Sequence, residues 1–416
     1  MAERTLLTNT RMLTCSGDPH EQPSSGEVLI EGSRIVEVSR GRPIQVERAA
    51  ARVVDLRAAT LLPGLGDAHV HTSWPLDFVF NHAAVAATPA AAHALDVAAV
   101  ARTYLESGYT LVVGAGVLQA TDDTALKHAV DLGRLPGPRV IPSGPMVAQT
   151  GCLGDEGGLM EVVSGVDDLR EVVARQCDAG VRAIKLFISG DGAVPEFPSE
   201  DVYMNDAMLE AAVREADRHG AFISAHARAA DSVAMAARAG VRLIHHACFL
   251  HDEALRELQA REDVWVCPGL HYLYAMVNGH ADPWGISANQ VAAFGYPREL
   301  ESQVAGLKRM VSAGIRIVAG GDFGHQWTRH GSYAAELQRY VELVGMTPTA
   351  AMLTATRNMG PLVGLAVGQV ARGQLADLLV VDADPTLDIA VLQDASKRRA
   401  VIKDGRFAYV NADLVL

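Results

Sequence analysis

The alternation of helical and strand-like segments between residues 64 and 365 is the feature that most constrains this chain. PAAAHALDVAAVARTYLESG places apolar residues at helical spacing and stops at Gly108, and YTLVVGAG follows as an apolar strand. Helical patterns recur at 166–179, 205–219, 229–239, 252–260 and 297–313, each followed by a strand: VRAIKLFISG, AFISAHA, VRLIHHA, VWVCPGL and IRIVAGGD. Strands apolar on both faces belong to parallel sheets covered by helices. About eight such units in about 300 residues predict an α/β fold, a (β/α)8 TIM barrel rather than an open doubly wound sheet. No G-x-G-x-x-G follows the first strand, which argues against dinucleotide binding.

The two ends have a different texture. GEVLIEGSRIVEVS alternates apolar and polar residues about a Gly-Ser turn, and AVIKDGRFAYV does so about Asp404-Gly405, a favoured hairpin turn. The expected organisation is a small β-sandwich built from both termini, residues 1–63 and 366–416, around the barrel at 64–365.

Totals exclude several classes of function. A net charge of −13 speaks against nucleic acid and anionic membrane surfaces as partners, which want a basic face. No run of about 18 uncharged apolar residues is present to span a membrane. The N-terminus has no long apolar segment of the secretory type, and the five scattered cysteines lack any C-x-x-C, so the expectation is reduced thiols and a cytoplasmic location.

Chemistry concentrates at the strand ends. In LLPGLGDAHVHTSW, strand alternation points His69 and His71 to the same face, and two buried imidazoles on one face call for a partner such as a metal ion. Lys185 sits between Ile184 and Leu186 inside an apolar strand, where an ammonium loses its solvation or its proton. Lysine is scarce in this chain, five among 36 basic residues, which makes its position here more pointed. His226, His246 and Asp322 end later strands. The C-terminal strand ends of a (β/α)8 barrel meet at one mouth, so these distant residues form a nitrogen and oxygen donor set suited to Zn²⁺ or a similar ion. Of His245 and His246, alternation turns only one toward the mouth.

The ordered set His69-x-His71, Lys185, His226, His246, Asp322, with LLPGLGDAHVHT before it and GQVARGQLADLLVVDADP after it, resembles the amidohydrolase superfamily of metal-dependent hydrolases. More narrowly it resembles the imidazolonepropionase-like and prolidase-like branch with a carbamylated lysine. The resemblance implies a binuclear centre of two divalent metal ions, taken as Zn²⁺. His69, His71 and Asp322 would hold the more buried ion, and Lys185, as N6-carboxylysine, would bridge the pair. His226 and His246 would hold the more exposed ion. Such a pair makes water acidic enough to give hydroxide at neutral pH, with Asp322 as the catalytic proton acceptor and donor. The implied reaction is cleavage of an amide C–N bond in a small molecule: an N-acyl amino acid, a dipeptide-like compound or an aromatic amide. Cyclic amides of the imidazolone or lactam type are the alternative substrates, and a metal-free scaffold relative is the alternative class. Assembly into a homo-oligomer is also an expectation.

Two departures from the branch stand out. IHHA replaces its usual IEHG, putting His245 where glutamate is common, and within SGPMVAQTGCLGDEGG (143–158), expected to be one long Gly-rich loop, TGCLGD replaces TGGHGD, putting Leu153 in place of histidine and implying a more apolar pocket wall. For substrate binding, Arg228 follows His226 by two residues and is suited to a bidentate grip on a carboxylate. Tyr272, by resemblance, hydrogen-bonds substrate. His325, Trp327 and His330 follow Asp322 and are candidates to line the pocket.

Overall fold

The computed structural model describes residues 3–46, 50–76, 87–152, 160–193 and 196–411. The chain opens with strands β1 (Arg4–Met12), β2 (Ser24–Glu31), β3 (Arg34–Arg40), β4 (Arg52–Asp55) and β5 (Thr60–Pro63). Nine strands follow through the middle: β6 (Leu65–Val70), β7 (Tyr109–Gly114), β8 (Arg139–Ile141), β9 (Met146–Gln149), β10 (Met160–Val163), β11 (Ala183–Phe187), β12 (Phe222–Ala227), β13 (Leu243–His246) and β14 (Trp265–Cys267). The last are β15 (Leu378–Val381), β16 (Arg398–Lys403) and β17 (Arg406–Val410).

Both ends of the chain build one sheet. Its order is β17-β16-β15-β5-β1-β2-β3, with β4 also paired to β1. β15 runs antiparallel to β5, setting Leu379 opposite Leu62, and thereby ties the two termini together. Leu7, Val28, Ile30, Leu61, Leu378 and Ile402 bury their side chains in one cluster on this sheet. The chain leaves the sheet at Gly64, where a Cβ would lie 2.2 Å from Thr110 Oγ1; only glycine admits that approach to β7.

The middle is parallel. β6-β7-β8 form one sheet and β10-β9-β11-β12-β13-β14 another. β11 (AIKLF), β12 (FISAHA) and β13 (LIHH) are buried at every position, as strands with helices behind them must be. Single parallel bridges join Ser143 to Ala183, Val266 to Ile317, and Val70 to Phe323. Ala183, Phe222, Leu243, Trp265, Cys267 and Val318 pack together as a cluster spanning these strands.

Helices begin and end where local chemistry dictates. Asn205 caps Asp206–Arg218 by accepting from the Met208 amide, and that helix buries Met208, Leu209, Ala212 and Ala216. Ala230–Ala239 stops at Gly240, whose φ of 82° is the left-handed conformation glycine takes at no steric cost.

Two expectations change. IRIVAGGD contributes isolated bridges rather than a regular strand, because Gly320 and Gly321 interrupt it and Asp322 adopts φ 56°. The segment 143–158, read as one loop, contains β9, which pairs in parallel with β10 and touches β11 at Val147 and Ala148. Leu153 lies outside the described residues. Among the described residues no helix is long and apolar enough to cross a membrane.

Candidate metal centre

His69 closes β6, and its amide donates to Asp67 Oδ1 at 2.9 Å, which fixes the end of the strand. His71 follows, with Nδ1 3.1 Å from the Gly116 carbonyl. That contact leaves Nε2 of His71 toward Asp322, 3.2 Å from Oδ1, while His69 Nε2 lies 3.4 Å from the same oxygen. Glycine at 320 permits this meeting, since a Cβ there would come within 2.6 Å of the His69 amide nitrogen.

β11, β12 and β13 carry the rest. Their register pairs Lys185 with Ser224, and His226 with His245. Lys185 Nζ is hydrogen-bonded to His245 Nδ1. The His226 ring lies 4.5 Å from His246 and stacks on Phe187 at 3.8 Å, with Nε2 3.1 Å from the Gly190 carbonyl. His69 in turn stacks on His245 at 4.0 Å and meets His246 at 5.1 Å. The six residues singled out in the sequence therefore lie around one another, all buried.

Alternation along the strand predicts that only one of His245 and His246 faces inward, but both do. Both rings pack against His69. His246 takes φ 72° and Ala247 φ 47°, and this left-handed backbone turns His246 back toward the face that His245 already occupies. The signal for this was only the departure from IEHG. A second residue went unnoticed in the sequence: Cys267, opposite His245 in the β13–β14 register, has a donor atom within 4.8 Å of donors on His69 and His245. A second triplet within that limit is His69, His246 and Asp322.

Burial sets the protonation states. It pushes the pKa values of His69, His245 and His246 well below the usual imidazole value and takes His226 down to about 3. All four are neutral and carry a free lone pair, the form that ligates metals. Burial also pulls the Lys185 ammonium down to about 7. At Asp322 burial works upward, but the hydrogen bond from His71 and the fields of His325, His71 and Lys185 outweigh it and hold the carboxyl below the usual carboxylate range. His69 Nδ1 and His245 Nε2 are buried with no hydrogen-bond partner among the described residues. Neutral imidazoles crowded around one carboxylate, with buried nitrogens left over, fit a cation.

The candidate substrate residues divide. Arg228 is 1% exposed, and its guanidinium is gripped by Glu299 Oε1 at 2.5 Å and Asp191 Oδ2 at 3.0 Å. The fork read as a clamp for substrate is already occupied by two carboxylates of this chain. Tyr272 lies on the helix Leu270–Val277, edge-on to His325 at 4.9 Å. His325 Nδ1 is 3.2 Å from the Asp322 carbonyl, and Trp74 stacks on His71 at 3.8 Å while meeting His325 at 4.7 Å. His330 turns away, bonded to the Trp74 carbonyl and the Tyr333 hydroxyl at 3.0 and 3.1 Å.

A family model described as the Amidohydrolase family matches residues 60–408. Ochratoxinase of Aspergillus niger is 26% identical over 384 aligned residues, covering 84% of this chain and 76% of the relative. A crystal structure of a prolidase complexed with N-methylphosphonate-L-proline superposes with a TM-score of 0.85 at 27% identity, covering 98% of this chain and 100% of that chain. The crystal structure of A. niger ochratoxinase gives a TM-score of 0.84 at 22% identity, covering 98% and 95%, a likeness that speaks for the fold alone.

Proposed function

This chain belongs to the amidohydrolase family and is a hydrolase of carbon–nitrogen bonds, and from that premise we propose that it cleaves the amide bond of a small molecule at a binuclear metal centre. The observation that carries the reading is the convergence of His69, His71, Lys185, His226, His246 and Asp322 from separate parallel segments onto one buried cluster. In the fold we read a closed (β/α)8 barrel beside a terminal sandwich. The bridges Ser143 to Ala183, Val266 to Ile317 and Val70 to Phe323 support it, because each joins neighbours that the two parallel sheets leave apart.

His69, His71 and Asp322 would hold one ion, His226 and His246 the other, and Lys185, carbamylated, would be shared. Nitrogen and oxygen donors suit Zn²⁺. When bound, such ions polarise a carbonyl oxygen and make water acidic enough to deprotonate near neutral pH. Lys185, neutral once burial has lowered its pKa, adds to CO₂ by forming an N–C bond and releasing one proton. Asp322, ionised, accepts the proton of the attacking water at Oδ2, the oxygen not turned to the histidines, and delivers it to the leaving nitrogen. Phe187 and Trp74, stacked on His226 and His71, keep bulk water from the imidazoles. Arg228 acts as a brace between β12 and the helix Tyr296–Ser312, which carries Glu299.

Substrates in this reading are N-acyl amino acids, dipeptide-like compounds and aromatic amides. Buried thiols at Cys15, Cys177, Cys248 and Cys267 support a reducing, cytoplasmic setting. The test is turnover of an N-acyl amino acid panel beside lactams and imidazolones, with the metal content of the same sample measured. Cleavage of the open-chain amides is expected; activity confined to cyclic amides, or none in a metal-replete sample, contradicts the reading.

A further inference from the structure

An open surface cavity of about 580 Å³, within the range of small-molecule sites, lies near the segment that follows Asp322. Its walls include Trp284, Trp327, Tyr274, His271, Arg329 and Arg339. Three features mark it as built for a ligand. First, its aromatic rings and its cations are already matched: Arg329 lies 5.5 Å over the Trp284 ring and Arg339 lies 4.2 Å over Tyr274. Trp284 is nonetheless 41% exposed, a large indole left with open surface.

Second, the wall holds buried polar atoms without hydrogen bonds among the described residues: His271 Nδ1, Trp327 Nε1 and Arg339 Nε. His271 and Arg339 are themselves 6% and 8% exposed. Arg339 pairs with Glu342 at 2.8 Å, whereas among the described residues Arg329 donates only through Nε, to the Gln326 carbonyl at 3.3 Å. Its two terminal nitrogens remain for an anion. Third, two wall residues pack on the immediate neighbours of Asp322. Trp327 stacks on His325 at 5.1 Å, and His325 touches the Asp322 carbonyl; His271 lies 5.6 Å from Phe323, the residue after Asp322.

We propose that this cavity receives a planar aromatic carboxylate carried on the substrate, its ring against Trp284 and its carboxylate on the terminal nitrogens of Arg329. Flat aromatic walls favour a flat ring. The Arg329 guanidinium, with no carboxylate partner among the described residues, favours an anion and repels a cation, and its fork pairs a carboxylate in two parallel bonds. The substrate is then an amide with an aromatic acid at its far end. That last step rests on the amide-hydrolase reading; occupancy of the cavity does not.

The probe is 1-naphthoate, titrated into the metal-loaded enzyme and followed by quenching of tryptophan fluorescence and by calorimetry. Cyclohexanecarboxylate serves as the non-planar control. Expected is saturable binding of naphthoate that weakens at least about tenfold in Arg329→Gln and, by calorimetry, in Trp284→Ala, with little competition from the control. Circular dichroism and melting of both variants check their folds, and a conservative Trp284→Phe should retain most of the binding. Binding unchanged in both variants would place the carboxylate on the metal ions and overturn the proposal, as would no binding at millimolar concentration. Naphthoate bound as expected while no amide is turned over would count against the amide reading alone.

Discussion

His71 Nε2 stands 3.2 Å from Asp322 Oδ1, although the two residues are far apart in the sequence. The contact joins the end of β6 to the segment bridged at Phe323, and it fixes which oxygen of Asp322 stays available for a proton. Asp322→Asn keeps the shape and loses the acceptor. Turnover should fall about 10²–10⁴-fold, with the circular dichroism spectrum preserved. A variant within a few-fold of wild type would remove Asp322 from the proton path.

Lys185 carries a second prediction. Its amine is buried, brought down to about 7 by that burial, and bonded to His245. Lys185→Ala should lose activity and at least half of the bound metal. Short carboxylic acids, which restore two oxygens to the space vacated, should recover part of the rate. Native mass spectrometry of active wild type should show one added CO₂ that acid removes. An unmodified Lys185 in fully active, metal-replete protein would refute the bridge.

His330 gives the fold a pH signature. Burial lowers its pKa from 6.5 to about 4. Between those values the unfolded chain holds more protons than the folded one, so stability rises with pH across the window. The contribution is intact above about pH 6.5 and is lost as pH falls toward 4, on the order of 3 kcal/mol for this one group. His330→Gln can still bond Trp74 and Tyr333. Urea denaturation of that variant should depend on pH between 6.5 and 4 by about one proton less than wild type; an identical slope would show that His330 does not titrate as described.

How far the sequence reached is clearest at the strands. The runs AIKLF, FISAHA and LIHH read as buried parallel strands because two-sided burial leaves no polar alternation, and they are so. The six candidate ligands stand out in the sequence for the same reason, since each is an ionisable group within or at the end of an apolar run. His246 was not legible in its orientation: a positive φ on a non-glycine residue leaves no mark in a hydrophobic pattern. Cys267 passed as an apolar core residue, and only its register against His245 gives it a place at the centre. Arg228 looked free because its partners, Asp191 and Glu299, are distant in sequence.

The central claim is that these side chains share two cations, and the most direct measurement is anomalous diffraction from crystals of the active protein at the absorption edge of the metal it carries. Two peaks are expected, one bounded by His69, His71 and Asp322 and the other by His226 and His246, with density for a modified Lys185 between them. Active crystals with no peak among these residues, or with metal only elsewhere in the molecule, would contradict it.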